Sequence, residues 1–289
     1  MCDERTVKES SEYLHNLTRR EFGAVSAGAG LAVLLPQAAN AQDVTESDVE
    51  ITTPDGVADC YFVHPANGTH PGVLIWPDIL GLRPAFRQMG RRLAQSGYSV
   101  LVVNPFYRSA RSPVVPEGAS FQDEAVRNTV FPMAGALNAD THFTDARAFI
   151  AWLDEQAAVD GSRKMGTTGY CMGGPMTMRT AAAVPDRVGA AASFHGGGLV
   201  TDRPDSPHLL VPDMTAHYLF AIAANDDMQD PEAKNVLRQS FAAAGLPAEI
   251  EVYEGAMHGW CPPDSAVYNE PQAERAWSRL LVLFETALA

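Results

Sequence analysis

A cysteine lies in a glycine-rich turn at residues 169–174, which reads Gly-Tyr-Cys-Met-Gly-Gly. A predicted strand runs into this turn and a predicted helix follows it. Glycines on both sides of Cys171 allow a sharp turn that lifts a nucleophile above a sheet. The N-terminus of the following helix favours a thiolate and a developing oxyanion. The pattern predicts that Cys171 is a nucleophile and that the backbone N–H of Met172 is an oxyanion donor. The alternative is a small buried structural cysteine.

A nucleophile in such a turn needs an acid and then a histidine later in the chain, each following a strand. An Asn-Asp-Asp turn at residues 225–227 follows one predicted strand, and His258 follows the last one. We predict that His258 accepts the proton of Cys171 and returns it to the leaving group. Asp226 directly follows its strand and is the favoured partner of the imidazole. Asp227 is the alternative acid.

Predicted strands and helices alternate through most of the chain. The predicted strands are 49–52, 59–63, 72–76, 98–103, 164–170, 190–194, 218–223 and 249–253, and the predicted helices are 85–96, 141–156, 176–184, 231–244 and 272–288. Strand, helix and strand between residues 72 and 103 form a βαβ unit. We therefore expect an α/β fold with a mostly parallel central sheet and helices on both faces. Residues 106–137 are rich in proline and glycine and predict a lid or substrate wall, with a short helix near 122–128.

The first 41 residues have the pattern of an export signal. Arg19-Arg20 precedes an uncharged run at residues 23–35, which is too short to span a bilayer. Ala39-Asn40-Ala41 supplies the small residues of a cleavage site. The pattern resembles a twin-arginine signal and predicts export by that machinery to the periplasm or outside the cell. The alternative is a buried alanine-rich helix. We expect one folded domain at residues 42–289, with no membrane-spanning run.

Composition narrows the possible partners and cofactors. The chain has 289 residues and a formal net charge of −14, which disfavours binding to nucleic acid. Its four cysteines lack the spacing of a zinc site, and nothing in the sequence calls for a metal or an organic cofactor. Cys60 and Cys261 are either core residues or a pair formed after export, and Cys261 is also a candidate to resolve an oxidised Cys171. The sequence does not indicate an oligomeric state.

The chain resembles the dienelactone hydrolase family, the cysteine-nucleophile members of the α/β-hydrolase superfamily. Besides the turns at 169–174 and 225–227 and His258, the matching segments are Trp-Pro-Asp-Ile-Leu-Gly at 76–81 and Asn-Pro-Phe-Tyr at 104–107. The resemblance spans roughly residues 49–288. It implies an α/β-hydrolase fold and a Cys-His-Asp triad that cleaves a small lactone or activated ester through a thioester intermediate.

The resemblance also implies roles for residues near the triad. Asp78 stands where family members have a glutamate that contacts the thiol, and it is one methylene shorter, which puts direct contact with Cys171 in doubt. The alternative is a loop residue that caps its own turn. The backbone N–H of Ile79 would be the second oxyanion donor. Tyr107, His195 and Trp260 are candidate walls of the substrate pocket. His195 follows a predicted strand at the carboxyl edge of the sheet, where ligands bind in open α/β folds. The alternative is that His195 is a hydrogen-bonded scaffold residue.

One departure from the family bears on the substrate. Dienelactone hydrolases bind the substrate carboxylate with two arginines. Here Arg108 lies one position early, and the segment after the histidine, 259–263, has no arginine. Arg83, Arg108 and Arg111 are the nearby cations that could replace the clamp. We therefore expect a lactone or activated ester other than dienelactone itself. The alternative function is a catalytically weak protein of this fold that binds a ligand or senses thiol oxidation in the periplasm.

Overall fold

A computed structural model describes residues 4–16, 35–36, 38 and 41–289. Eight strands of this part form one sheet. They are β1 (Val44–Thr53), β2 (Gly56–Pro65), β3 (Gly72–Trp76), β4 (Ser99–Val103), β5 (Met165–Tyr170), β6 (Val188–Phe194), β7 (His217–Ala223) and β8 (Ala248–Tyr253). The order across the sheet is β1-β2-β4-β3-β5-β6-β7-β8. Strands β1, β2 and β4 pair antiparallel, and every pair from β4 to β8 is parallel. The prediction of an α/β fold with a mostly parallel sheet is confirmed.

The described residues also form eight α-helices, most of which pack against this sheet. They are α1 (Glu4–Asn16), α2 (Pro84–Gln95), α3 (Glu124–Gly135), α4 (Ala139–Asp154), α5 (Gly173–Ala183), α6 (Ala224–Gln229), α7 (Ala233–Ala244) and α8 (Glu270–Ala287). A 3-10 helix spans Pro207–Asp213. Most predicted helices are present within about three residues of their predicted bounds, as expected for boundaries inferred from local pattern.

The central strands β3 and β4 are apolar except for Ser99, because both faces of the sheet are covered. All five residues of β3 are buried, and so are all five of β4. Alternate side chains point to opposite faces. Leu74 and Leu101 therefore join one core cluster, while Val73 and Val100 join the other. Burying each such side chain contributes about 1.5–3 kcal/mol, so this double core fixes the strand ends that carry the candidate site.

Several elements differ from the sequence predictions: strand β1, for example, begins at Val44 where residue 49 was predicted. Helix α5 begins at Gly173 rather than at residue 176, so its N-terminus lies directly beside the turn at Cys171. Helix α3 is longer than the predicted turn of helix at 122–128 and contains Pro132 in its last turn. Helix α6 was not predicted, because six mostly polar residues carry no recognisable helical period.

The proposed export signal is described only in part. Its apolar run falls almost entirely on residues 17–34, which lie outside the described residues. The segment before that run forms α1, in which Thr6 and Ser10 are buried. None of the described helices is long and apolar enough to cross a membrane.

Candidate active site

Cys171 lies at the end of β5, in a backbone conformation that side-chain-bearing residues rarely adopt. Its φ is +54°, and its backbone N–H donates to the carbonyl of Phe194 on the neighbouring strand at 3.0 Å. A Cβ atom on Gly169 would lie 2.1 Å from the carbonyl oxygen of Gly173. A glycine is therefore required where strand and helix pass this closely. The local strain holds Cys171 above the carboxyl edge of the sheet, at the N-terminus of α5.

His258 follows β8 and faces one of the two candidate carboxylates. Its Nδ1 lies 2.8 Å from Oδ2 and 3.0 Å from Oδ1 of Asp226. The neighbouring Asp227 instead accepts a hydrogen bond from Nζ of Lys234 at 2.5 Å. Of the two carboxylates considered from the sequence, Asp226 is the one in contact with the imidazole. A carboxylate on Nδ1 fixes the tautomer that leaves Nε2 for proton transfer.

The charges around His258 favour its protonated form. Burial alone would lower the pKa of His258, but the Asp226 carboxylate, the Cys171 sulfur and its hydrogen bonds with both groups raise that pKa to about 10. The imidazole is 4% exposed, so water screens these interactions little. An imidazolium beside Cys171 in turn stabilises a thiolate. The arrangement can therefore hold a nucleophilic sulfur and a proton donor together at neutral pH.

Asn225 was not identified from the sequence as a site residue, although it belongs to the Asn-Asp-Asp turn. Its side chain is buried, and its Oδ1 accepts a hydrogen bond from the backbone N–H of His258 at 2.8 Å. Two neighbouring residues of α6 therefore position His258: Asn225 binds its backbone N–H, and Asp226 binds its imidazole ring. The position of Asn225 directly before Asp226 could have indicated from sequence that it belongs to the site.

Asp78 lies beside the pocket in a buried group of charges. Its Oδ1 accepts from the backbone N–H of Leu80 at 2.9 Å and from Nη1 of Arg83 at 2.7 Å, and its Oδ2 accepts from Nη2 of Arg83 at 3.0 Å. Arg83 also donates to both oxygens of Asp264, at 2.7 and 2.9 Å. Burial raises the pKa of Asp78, as do the nearby Cys171 and Asp264, while the Arg83 guanidinium opposes the rise. The contact of Asp264 with Arg83 could not be predicted from sequence, because the two residues lie far apart along the chain.

Cys171, His258, Asp78 and Ile79 line one cavity of about 520 Å³. Residues 113 and 115–122, which we name the pocket loop, form one of its walls. Part of the segment 106–137, which the sequence predicts as a lid or substrate wall, therefore lines this cavity. Pocket residues that the sequence did not indicate come from α1, from the start of α2 and from the segment before α8: Thr6, Ser10, Pro84, Ala85, Gln88 and 263–267.

His195 also lines this cavity, at the end of β6. It has a φ of +41°, and its ring centroid lies 5.1 Å from that of His258 and 5.1 Å from that of Trp260. Burial and the charge of His258 lower the pKa of His195 well below its usual value, so the ring is neutral. Trp260 lies behind His195, stacked on Tyr253, and does not line the cavity.

The structure does not bring Tyr107 and Arg108 to the cavity. The buried carboxylate of Asp145 binds both side chains, accepting from the Tyr107 hydroxyl at 2.7 Å and from Arg108 Nη1 at 2.8 Å. The third candidate cation, Arg111, pairs with Glu50 at the surface. The family resemblance implied that Tyr107 and Arg108 lie near the substrate, but the buried carboxylate of Asp145 holds both side chains outside the cavity.

The other described thiols lie outside the cavity. Cys60 and Cys261 are buried, and neither forms a disulfide within the described part of the chain. Burial raises the pKa of both Cys60 and Cys261 far above the usual range, which makes them poor nucleophiles. Among the described residues, no cluster of three or more His, Cys, Asp or Glu side chains could hold a metal ion.

Comparisons with known proteins identify the family of the chain. A family model described as the dienelactone hydrolase family matches residues 58–288. A carboxymethylenebutenolidase from Rhodococcus opacus is 27% identical over 238 residues, covering 78% of this chain and 86% of the relative. Similar proteins from Salmonella typhi and Escherichia coli strain K12, each 26% identical, are named "Putative carboxymethylenebutenolidase", so the alternative of a binding or redox-sensing protein gains no support.

Solved structures share the fold. A dienelactone hydrolase-like promiscuous phosphotriesterase from metagenomic libraries is 21% identical, with a TM-score of 0.69 over 85% of this chain and 99% of that one. The dienelactone hydrolase from Anabaena variabilis ATCC 29413 is 18% identical, with a TM-score of 0.60 over 85% of this chain and 99% of that one. The chain belongs to the dienelactone hydrolase family and is a carboxylic ester or lactone hydrolase with the α/β-hydrolase fold.

Proposed function

We propose that this hydrolase works through Cys171, His258 and Asp226, with a covalent thioester intermediate and no cofactor. The observation that carries the proposal is the His258 imidazole, which is bonded to Asp226 and interacts with the sulfur of Cys171 within one cavity. The sulfur attacks the carbonyl carbon of the substrate. The carbonyl oxygen becomes an oxyanion, which the backbone N–H groups of Met172 and Ile79 bind.

The remaining proton transfers use His258. As the tetrahedral intermediate collapses, the C–O bond breaks and the leaving alkoxide takes the proton of the imidazolium. A water molecule then attacks the thioester while the neutral His258 accepts its proton. The second intermediate collapses to the acid and restores the thiolate and the imidazolium. Asp226 keeps the ring oriented and offsets its charge in both halves.

We infer that the preferred substrate is an uncharged ester or lactone. Arg83 is the single arginine or lysine among the described residues that line the cavity, and both Asp78 and Asp264 already bind it. Glu117 adds a further negative charge to the lining. A substrate carboxylate would have to displace one of these partners. The relatives named carboxymethylenebutenolidase suggest lactones as the first compounds to test.

The test compares p-nitrophenyl butyrate with mono-p-nitrophenyl succinate, which have similar length and differ in a terminal carboxylate. We expect Cys171→Ala to abolish turnover of both esters, and Cys261→Ala, which removes a buried thiol outside the cavity, to retain it. Retained turnover in Cys171→Ala would disprove the proposed nucleophile. A preference of the unmodified chain for the succinate ester would disprove the inferred substrate charge.

We also infer that the twin-arginine machinery exports the chain, that the signal ends at Ala41, and that the product is periplasmic or secreted. The support is the Arg19-Arg20 pair before the uncharged run and the small residues at 39–41. Mass spectrometry of protein from the periplasmic fraction tests this inference. We expect a mature chain that begins at Gln42, and retention of the full chain in the cytoplasm when Arg19 and Arg20 are both replaced with lysine.

A further inference from the structure

We propose that α1 is a wall of the catalytic cavity and limits the size of the molecules that reach Cys171. This inference concerns access to the sulfur and goes beyond the proposed reaction. It holds for the chain that retains its N-terminal segment.

The first observation is the position of two side chains of α1. Thr6 and Ser10 are 6% and 4% exposed, and both line the cavity that contains Cys171. They are four residues apart and therefore lie on one face of the helix. The opposite face is in solvent, since the Lys8 and Glu12 side chains are 77% and 62% exposed. The helix thus presents one small polar face to the cavity.

The second observation is a contact between α1 and the helix that holds His258. Oε2 of Glu9 accepts hydrogen bonds from Nδ2 of Asn225 at 2.9 Å and from Nε2 of Gln229 at 2.6 Å. These two donors flank Asp226 on α6. The Oδ1 atom of the same Asn225 amide accepts a hydrogen bond from the backbone N–H of His258. The carboxylate of Glu9 therefore anchors α1 on one side of the cavity.

The third observation is an anchor on the opposite side. The Ser11 hydroxyl donates to Oε1 of Gln122 in the pocket loop at 3.0 Å. Glu4 lies 3.5 Å from Nε of Arg127, whose Nη1 donates to the backbone of that loop. Helix α1 consequently bridges the pocket loop and α6, and it crosses the cavity between them.

The hydrogen bonds and the ion pair named above hold α1 through polar side chains, which can exchange these partners for water when the helix detaches. The helix is therefore a removable part of the wall, unlike the strands that carry Cys171 and His258. Removal of the segment before residue 42 would take this wall away and leave a wider entrance.

The experiment measures alkylation of Cys171 in the full chain, a reaction that does not require ester turnover. Iodoacetamide is the small probe and fluorescein-5-maleimide is the bulky one, and mass spectrometry of the Cys171 peptide gives each rate. Glu9→Ala removes the anchor on α6, and Ser11→Ala removes the one on the pocket loop. Glu12→Ala is the matched control, since Glu12 lies on the exposed face of the same helix.

We expect Glu9→Ala to raise the bulky-probe rate about tenfold, the change expected for losing hydrogen bonds to a charged group. The iodoacetamide rate should stay unchanged, and Ser11→Ala should act in the same direction with a smaller effect. The proposal is wrong if the ratio of the maleimide rate to the iodoacetamide rate is the same in three variants: Glu9→Ala, Ser11→Ala and Glu12→Ala. It is also wrong if both rates rise equally, because that change reports thiol reactivity and not access. If Glu9→Ala raises only the maleimide rate but the unmodified chain hydrolyses no ester, the proposed function is wrong and the inference about α1 still holds.

Discussion

Replacing Asp226 with asparagine removes the negative charge beside His258 and changes little else in shape. In the structure the carboxylate lies 2.8 and 3.0 Å from Nδ1 of the imidazole, so one charge-assisted hydrogen bond is lost. Such bonds contribute about 1.5–3 kcal/mol, which corresponds to about 10- to 150-fold in rate. We expect kcat/KM to fall within that range, or further if asparagine stabilises the wrong tautomer.

The same substitution should move the alkaline limb of the pH profile. The leaving group takes its proton from the His258 imidazolium, so activity declines as the pH rises through the pKa of His258. That pKa is raised to about 10, with the charge of Asp226 as the strongest raising cause. Without that charge the imidazolium loses its proton at lower pH. A loss of 1.5–3 kcal/mol corresponds to a shift of about one to two pH units towards acid.

The assay is kcat/KM against pH for ethyl butyrate, whose alkoxide leaving group needs the proton of the imidazolium, with background hydrolysis subtracted. Asp227→Asn is the matched control, since its carboxylate binds Lys234 and not the imidazole. Circular dichroism and the melting temperature verify that both variants fold. The reasoning is refuted if Asp226→Asn keeps the activity and alkaline limb of the unmodified chain, or if Asp227→Asn has the larger effect.

Three further substitutions test the packing around the site. Gly169→Ala places a Cβ atom 2.1 Å from a carbonyl oxygen and should lower the free energy of unfolding in urea by at least about 3 kcal/mol. Gly135→Ala is the control, because a Cβ atom there meets nothing within 4 Å. It should change that free energy by less than about 1 kcal/mol. Arg83→Met leaves the buried Asp78 carboxylate without its guanidinium and should cost about 3–5 kcal/mol. This loss should shrink as the pH falls and the carboxyl becomes protonated, so urea unfolding at two pH values is the measurement. Tyr107→Phe removes core hydrogen bonds and should lower the melting temperature without changing KM; a raised KM would show that Tyr107 does contact substrate.

The parts of the site that follow parallel strands could be predicted from sequence. Carboxyl ends of parallel strands meet at one edge of a sheet, so the order of Cys171, Asp226 and His258 along the chain was enough to expect them together. Long apolar strands are also locally encoded, and β3 has the bounds that its sequence predicts. The choice between Asp226 and Asp227 required the structure, because a one-residue shift on α6 reverses which carboxylate faces the ring.

Contacts between distant segments could not be predicted. The Arg83–Asp264 pair and the burial of Arg108 against Asp145 join residues that no local period relates. Helix α1 is a further example, since its polar sequence has the character of a surface or signal segment. Its position is set by partners on α6 and on the pocket loop, which lie far along the chain.

Strand β8 lies at the end of the sheet formed by the described residues and pairs with β7 alone. Five of its six residues are only half-buried. Fluctuations that open a sheet without unfolding the protein begin at such a boundary strand. Because β8 leads directly to His258, such an opening would separate the base from Cys171 while the interior of the sheet stays intact. Inactivation would then precede denaturation on heating and reverse on cooling, so the range of working temperatures would be set by one strand and not by the core.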